Sequence, residues 1–163
     1  MKISEELQEA INDQINFELY SGYIYLAMAA YFESINLDGM AHWMKKQAAE
    51  EYSHAMRFWE HIVDRGGLVT LTQIKAPKKK WASALAAWED AYEHEKVVSE
   101  RIFKIGELAD KLGDRSARPL LQWFYDEQVE EEEQTMRVAD HLRMAGEHAG
   151  AIMMIDAKLG QRE

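Results

Sequence analysis

The run Glu50-Glu51-Tyr52-Ser53-His54 holds a carboxylate and an imidazole three residues apart. On a helix Glu51 and His54 share one face, one turn apart, where both can grip a single metal ion. Alone, a Glu-x-x-His is an ordinary surface pair. Its meaning depends on whether other helices bring ligands to the same level.

The apolar pattern predicts an all-α chain with five helices, at about 4–33, 39–65, 83–112, 116–145 and 147–159, in a single domain over 1–163. Ser4, Asp38 and Ser83 are the expected N-caps of the first three helices, and Gly66-Gly67 stops the second. Pro119 falls in the first turn of the fourth, where proline is tolerated. The stretch from 66 to about 82 has no helical period and contains Pro77 and Lys78-Lys79-Lys80, read as a solvated turn. Extended, it spans about 50 Å at ~3.3 Å per residue, more than the length of the second helix. It can therefore cross the bundle and leave helices two and three parallel, with antiparallel hairpins on either side. The first helix carries two apolar stripes, Ile11, Ile15, Gly22 and Tyr25, then Phe17, Tyr20, Ile24, Met28 and Tyr31. Two stripes need two partners, one of which could be another subunit.

Each long helix has its seam broken by polar residues near the middle. The breaks are Glu18 on the first, Gln47, Glu51 and His54 on the second, Glu95 on the third, and Gln128 and Glu131 on the fourth. In an antiparallel bundle such mid-helix groups meet at one level. Four buried carboxylates without counter-charge would each cost several kcal/mol or take up protons. No lysine or arginine lies on these seams. Two divalent cations balance the four charges of Glu18, Glu51, Glu95 and Glu131, and oxygen ligands with one imidazole suit ferrous iron. Known helix-bundle di-iron sites use single glutamates from two helices and Glu-x-x-His from the other two. Here helix four offers Gln128-x-x-Glu131 in place of the second such pair. The remaining histidines, 42, 61, 94, 141 and 148, have no seam partners and read as surface or structural groups.

Composition narrows the alternatives. The 163 residues are 47% hydrophobic and 29% charged, which is a globular balance. There is no cysteine, so thiolate zinc sites and cysteine-held iron–sulfur clusters are excluded. The net charge of −10 disfavours nucleic acid and anionic membrane and favours cations as partners. No apolar run is long enough for a membrane span, and the first residues have no signal-like core, so the expected compartment is cytoplasmic.

The chain resembles the non-haem ferritins of bacteria and archaea over essentially its whole length. The resemblance is carried by Asn16-Phe17-Glu18-Leu19-Tyr20-Ser21, the segment Gln47 to His54, Tyr92-Glu93-His94-Glu95 and the segment Leu121 to Glu132. It implies a ferritin-like antiparallel four-helix bundle with a long crossover between helices two and three and a short fifth helix. It implies iron storage and a ferroxidase centre of Glu18, Glu51, His54, Glu95 and Gln128. Glu51 would bridge two irons, Tyr25 would stand beside it, and Glu131 would reach the second iron. A third iron site would use Glu50, Glu127, Glu130 and Glu131. The expected oxidant is dioxygen or hydrogen peroxide, and the expected assembly is a homo-oligomeric shell, a 24-mer, with the last helix lining a four-fold channel. Haem is not expected, because Tyr52 stands where bacterioferritins place their haem-ligating methionine. The rival reading is a rubrerythrin-like di-iron oxidase or peroxidase acting on a small reductant.

Overall fold

The computed structural model describes all residues 1–163. Five helices follow one another: α1 (Glu5–Ser34), α2 (Asp38–Asp64), α3 (Ala84–Lys111), α4 (Arg118–Ala145) and α5 (Ala149–Leu159). The chain is all-α, and α1–α4 form the antiparallel four-helix bundle, with the long α2–α3 crossover and the short fifth helix.

Local chemistry explains most helix ends. Ser4 Oγ accepts from Leu7 N at 3.3 Å, and Glu5 and Glu6 sit in the first turn, where the helix dipole favours anions. Ser83 Oγ caps α3 by accepting from Ala86 N at 3.1 Å. Gly66 ends α2 in the left-handed region, at φ 68°, and lets Gly67 N reach back to Ile62 O at 2.9 Å.

Two helix starts differ from the pattern expected of the sequence. Asp38 lies inside α2, whose N-cap Leu37 has no capping side chain. The free amides of Gly39 and Met40 are met instead by Asp156 of α5, at 3.2 and 2.8 Å. Helix α4 begins at Arg118, not Ser116, because Asp114 accepts from Ser116 N and Ala117 N and winds Arg115–Ala117 into a single 3-10 turn first. Asp156→Ala strips two acceptors from the start of α2 and should cost about 1–2 kcal/mol. Its check is denaturant unfolding together with faster hydrogen exchange across α5.

Cross-helix pairs fix the directions. Asp13 meets Arg101 and Tyr25 meets Glu95, so α1 and α3 run antiparallel. Gln47 meets Glu131 and Phe58 stacks on Phe124, so α2 and α4 do likewise. Glu33 meets Lys45 and Ile3 N donates to Arg65 O, so α1 and α2 are antiparallel too; α2 and α3 are therefore parallel, and the crossover spans the length of the bundle. It is held to α1 by a ladder. Gln8, Asn12 and Asn16, one turn apart, bond the backbone of Leu68, Thr70 and Thr72. Four helical residues rise about 6 Å and two extended residues about 6.6 Å, so the two spacings match.

The core is in two parts. One cluster includes Tyr25, Phe32, Met40, Met44, Trp88 and Leu142. The other includes Leu7, Ile15, Phe58, Ile102, Leu121 and Phe124. Between them the helices carry their polar seam residues. The two α1 stripes are not equivalent. Ile11, Ile15 and Tyr25 are buried, as is Met28 of the second stripe, whereas Phe17, Tyr20, Ile24 and Tyr31 are half-buried, and a further set, Tyr23 and Leu26, is exposed. On α3, Leu85 and Tyr92 are also only half-buried; Ala91 and Val98 take the inner positions beside Trp88, Glu95 and Ser99. No helix is long and apolar enough to cross a membrane.

Candidate metal centre

The polar layer brings together Glu18, Glu51, His54, Glu95, Gln128 and Glu131, all at most 3% exposed. Four helices each deliver one carboxylate, because the polar break in each seam lies at the same height. Ligand atoms of Glu18, Glu51 and His54 lie within 4.8 Å of one another, as do those of His54, Glu127 and Glu131.

Hydrogen bonds aim the carboxylates. Gln47 Nε2 donates to Glu51 Oε1 at 3.0 Å and to Glu131 Oε2 at 2.8 Å. Gln14 Nε2 donates to Glu18 Oε1 at 2.7 Å. Tyr25 donates its hydroxyl to Glu95. Gln128 Nε2 lies 3.2 Å from Glu95 Oε2 and 3.4 Å from Ser99 Oγ. His54 bridges Glu51, 3.4 Å from its Nδ1, and Glu127, 3.5 Å from its Nε2. One oxygen, Glu18 Oε2, is buried and meets no donor. Such an orphan acceptor is costly in a protein interior, and a divalent cation among these oxygens and one imidazole would meet it. The donor set therefore fits ferrous iron.

The protonation states say the same. Burial, then the charge of Glu51, pushes the Glu18 and Glu131 carboxyls up to about 8. Burial, then Glu131, does the same for Glu95, to about 8, and burial also raises Glu51, with Glu95 next. Burial would lower the His54 imidazole, but Glu127 and Glu51 outweigh it and push it up to about 11. In the metal-free chain, protons on these groups do the work of counter-charge. His94 goes the other way. Burial, then Arg101 and Lys75, lowers it to about 4, and it sits neutral, stacked on Phe17 and bonded to Ser21.

A pH dependence follows. A carboxyl or imidazole whose value is raised in the folded state contributes stability that is complete below its unfolded value and is lost as pH rises through the folded one. The three carboxyls at about 8 lose theirs between the ordinary carboxylate range near 4.5 and about 8, and His54 loses its own from 6.5 to about 11. Metal-free protein should thus unfold progressively more easily between about pH 5 and pH 9. Zinc, which binds the ionised groups of the folded state, should remove the slope. Unfolding midpoints against pH, with and without zinc, check this.

The other expected ligands are placed differently. Glu127 joins His54, and that contact, chiefly, holds its carboxyl below the ordinary range. Glu50 instead pairs with Arg162 at 2.6 Å, and Glu130 accepts from Gln134 on the exposed face of α4. Seam pattern assigns nothing to Gln14, Arg101 or Arg162. For Gln14 a signal exists: it precedes Glu18 by four residues, as Gln47 precedes Glu51. For the two arginines there is none.

Known proteins share this chain's sequence and fold. The family model described as a ferritin-like domain matches residues 8–145. A bacterial non-heme ferritin of Bacteroides fragilis is 39% identical over 160 residues, covering 98% of this chain and 99% of that one. One from Staphylococcus aureus is 34% identical over 160 residues, covering 98% of this chain and 96% of its own. Among solved structures, an Archaeoglobus fulgidus protein described as a novel open pore ferritin superposes with a TM-score of 0.98 at 43% identity, covering 99% of this chain and 100% of that one. A single carboxylate-and-imidazole layer between two apolar clusters, in a helical chain matched end to end by such relatives, leaves one conclusion: this chain belongs to the ferritin family.

Proposed function

We propose that the chain stores iron as a ferroxidase, oxidising Fe(II) at the centre formed by Glu18, Glu51, His54, Glu95, Gln128 and Glu131. The observation that carries this reading is the layer of four buried carboxylates, one of whose oxygens meets no donor within the protein. Fe(II) is the substrate. Glu51 lies between the Glu18 and Glu131 sides of the layer, since Gln47 holds it beside Glu131 while it groups with Glu18 and His54, and it suits a bridging role. Glu95 and Gln128 complete the second position, with Tyr25 orienting Glu95.

Two ferrous ions surrender two electrons, enough to reduce dioxygen to hydrogen peroxide or hydrogen peroxide to water. Their summed charge rises from four to six while the four carboxylates supply only four negative charges. Water must then ionise at the site, and the protons leave. Hydroxide takes over charge balance from the carboxylates and so favours departure of the ferric product, and Glu127, Glu130, Glu131 and Glu50 form the acidic path we assign to it. A cleft of about 270 Å³ between α3 and α4, lined by Ser99, Phe103 and Gln128 among others, gives small molecules an approach to Glu95 through Gln128.

Storage requires an enclosure. The chain assembles as its family does, into a multi-subunit shell; we assign it 24 identical copies, two irons per centre with a possible third, and a cytoplasmic location. Exposed Tyr23, Leu26 and Tyr52 offer an apolar face for a neighbouring subunit. The rubrerythrin-like alternative is not favoured: the chain's relatives are ferritins, and α5 has no part in such a reaction.

The test is aerobic addition of ferrous iron to metal-free protein, with ferric absorbance and light scattering followed on one sample. Fast oxidation of about two irons per chain, then soluble loading well beyond that inside a large particle, is the expected result. Oxidation that halts at two per chain on a small oligomer would favour the oxidase.

A further inference from the structure

The segment after α5 turns back across α2, and Arg162 makes the crossing. Its Nη2 donates to Glu50 Oε2 at 2.6 Å, and its Nη1 to Gln47 Oε1 at 3.0 Å and to Trp43 O at 3.3 Å. The guanidinium lies 4.2 Å from the centre of the Trp43 ring, and the Arg162 carbonyl is 2.7 Å from His42 Nε2. The side chain keeps only 16% of its exposure. A guanidinium with this many partners is a fixed structural element and not a solvated charge.

Its effect passes inward through Gln47. A glutamine amide has one accepting end and one donating end. Arg162 claims the accepting end, so the donating end must face Glu51 and Glu131, as it does. Turned over, the amide would set its oxygen against two carboxylates. The same construction recurs on α1. Arg101 Nε donates to Gln14 Oε1 at 2.9 Å, and Gln14 Nε2 donates to Glu18. Each arginine stands one glutamine away from the centre. They differ in their second partner. Arg101 takes exposed Asp13, whereas Arg162 takes Glu50, the neighbour of Glu51 in sequence and a carboxylate on the assigned exit path.

Resting on the ferroxidase reading, we propose that Arg162 is a positioning residue for iron leaving the centre: it holds Gln47 against Glu51 and Glu131 and occupies Glu50 until an incoming cation displaces it. Release of one side chain then does two things together. It frees Glu50 as a ligand and loosens the grip of Gln47 on the two inner carboxylates. The C-terminal side of α5 is thereby coupled to the centre through one residue.

The test uses assembled, metal-free shells and terbium(III), a redox-inert cation that prefers hard oxygen ligands. R162Q removes the charge. R162M also removes it but keeps an apolar stem over Trp43, and serves if R162Q does not assemble. Loss of one charge-assisted competitor should tighten the outer terbium site about tenfold. R162K, which can still pair with Glu50, should stay within about threefold of wild type. The gain should vanish when E50Q is added to R162Q. In a second readout, the wait before a second two-iron pulse oxidises at full rate should shorten in R162Q. Equal terbium affinity in wild type and both uncharged variants, or a gain that survives E50Q, overturns the proposal. Failure of the wild type to accelerate iron oxidation would overturn the ferroxidase reading instead, and the terbium titration would still judge Arg162.

Discussion

Glu51→Ala is expected to slow the rapid phase of iron oxidation at least about a hundredfold, the scale on which misplacing a reacting group acts. Glu51 accepts from Gln47, pairs with His54 and is the carboxylate shared between the two sides of the layer. It is 1% exposed, so its loss should not touch any subunit contact, and the shell should assemble. The same change should stabilise the metal-free protein. Glu51 is the second cause, after burial, of the raised Glu18 and Glu131 carboxyls, so removing it lets both ionise at lower pH. The fall in stability toward alkaline pH should become shallower. Stopped-flow oxidation, particle size and unfolding against pH together check the prediction. Oxidation within about threefold of wild type would sink the assignment of Glu51 as the shared ligand.

Trp88→Ala should be the most damaging of the core truncations, costing about 3–5 kcal/mol. The ring is wholly buried in the cluster above the metal layer, 4.8 Å from Trp43 and 6.3 Å from Phe32. Its Nε1 is buried without a partner, and alanine and phenylalanine both remove it. Trp88→Phe loses part of the volume but also removes the orphan donor, whose burial costs about 1–3 kcal/mol. It should therefore be far milder than alanine. Denaturant midpoints of the three proteins decide this, and equal losses for alanine and phenylalanine would mean that the ring kept by phenylalanine contributes nothing. Because Trp43 also carries Arg162 on its ring, collapse around Trp88→Ala should loosen the segment after α5.

Much of the centre is legible in the amino-acid sequence alone. Helical period is a local property, and a polar residue on an apolar seam is visible wherever it stands. Glu18, Glu51, His54, Glu95, Gln128 and Glu131 each interrupt such a seam, and short turns with one long crossover force the interruptions to one height. The partner of Glu50 is not legible in this way, because Glu50 lies off the seams and meets a guanidinium from more than a hundred residues away.

Short-range spacing and the cost of buried charge are enough to dictate that four amphipathic helices form, that each buries one carboxylate, and that these carboxylates need cations. What surrounds the carboxylates is a matter of tertiary packing. Packing set Asp156 on the start of α2 across 117 residues, ran the crossover along Gln8, Asn12 and Asn16, left Glu18 Oε2 without a donor, and placed Arg101 and Arg162 one glutamine from the centre. Those contacts join segments far apart in the chain through side chains whose types are common on any surface. Their meaning arises from the close approach of packed helices, which no local pattern records.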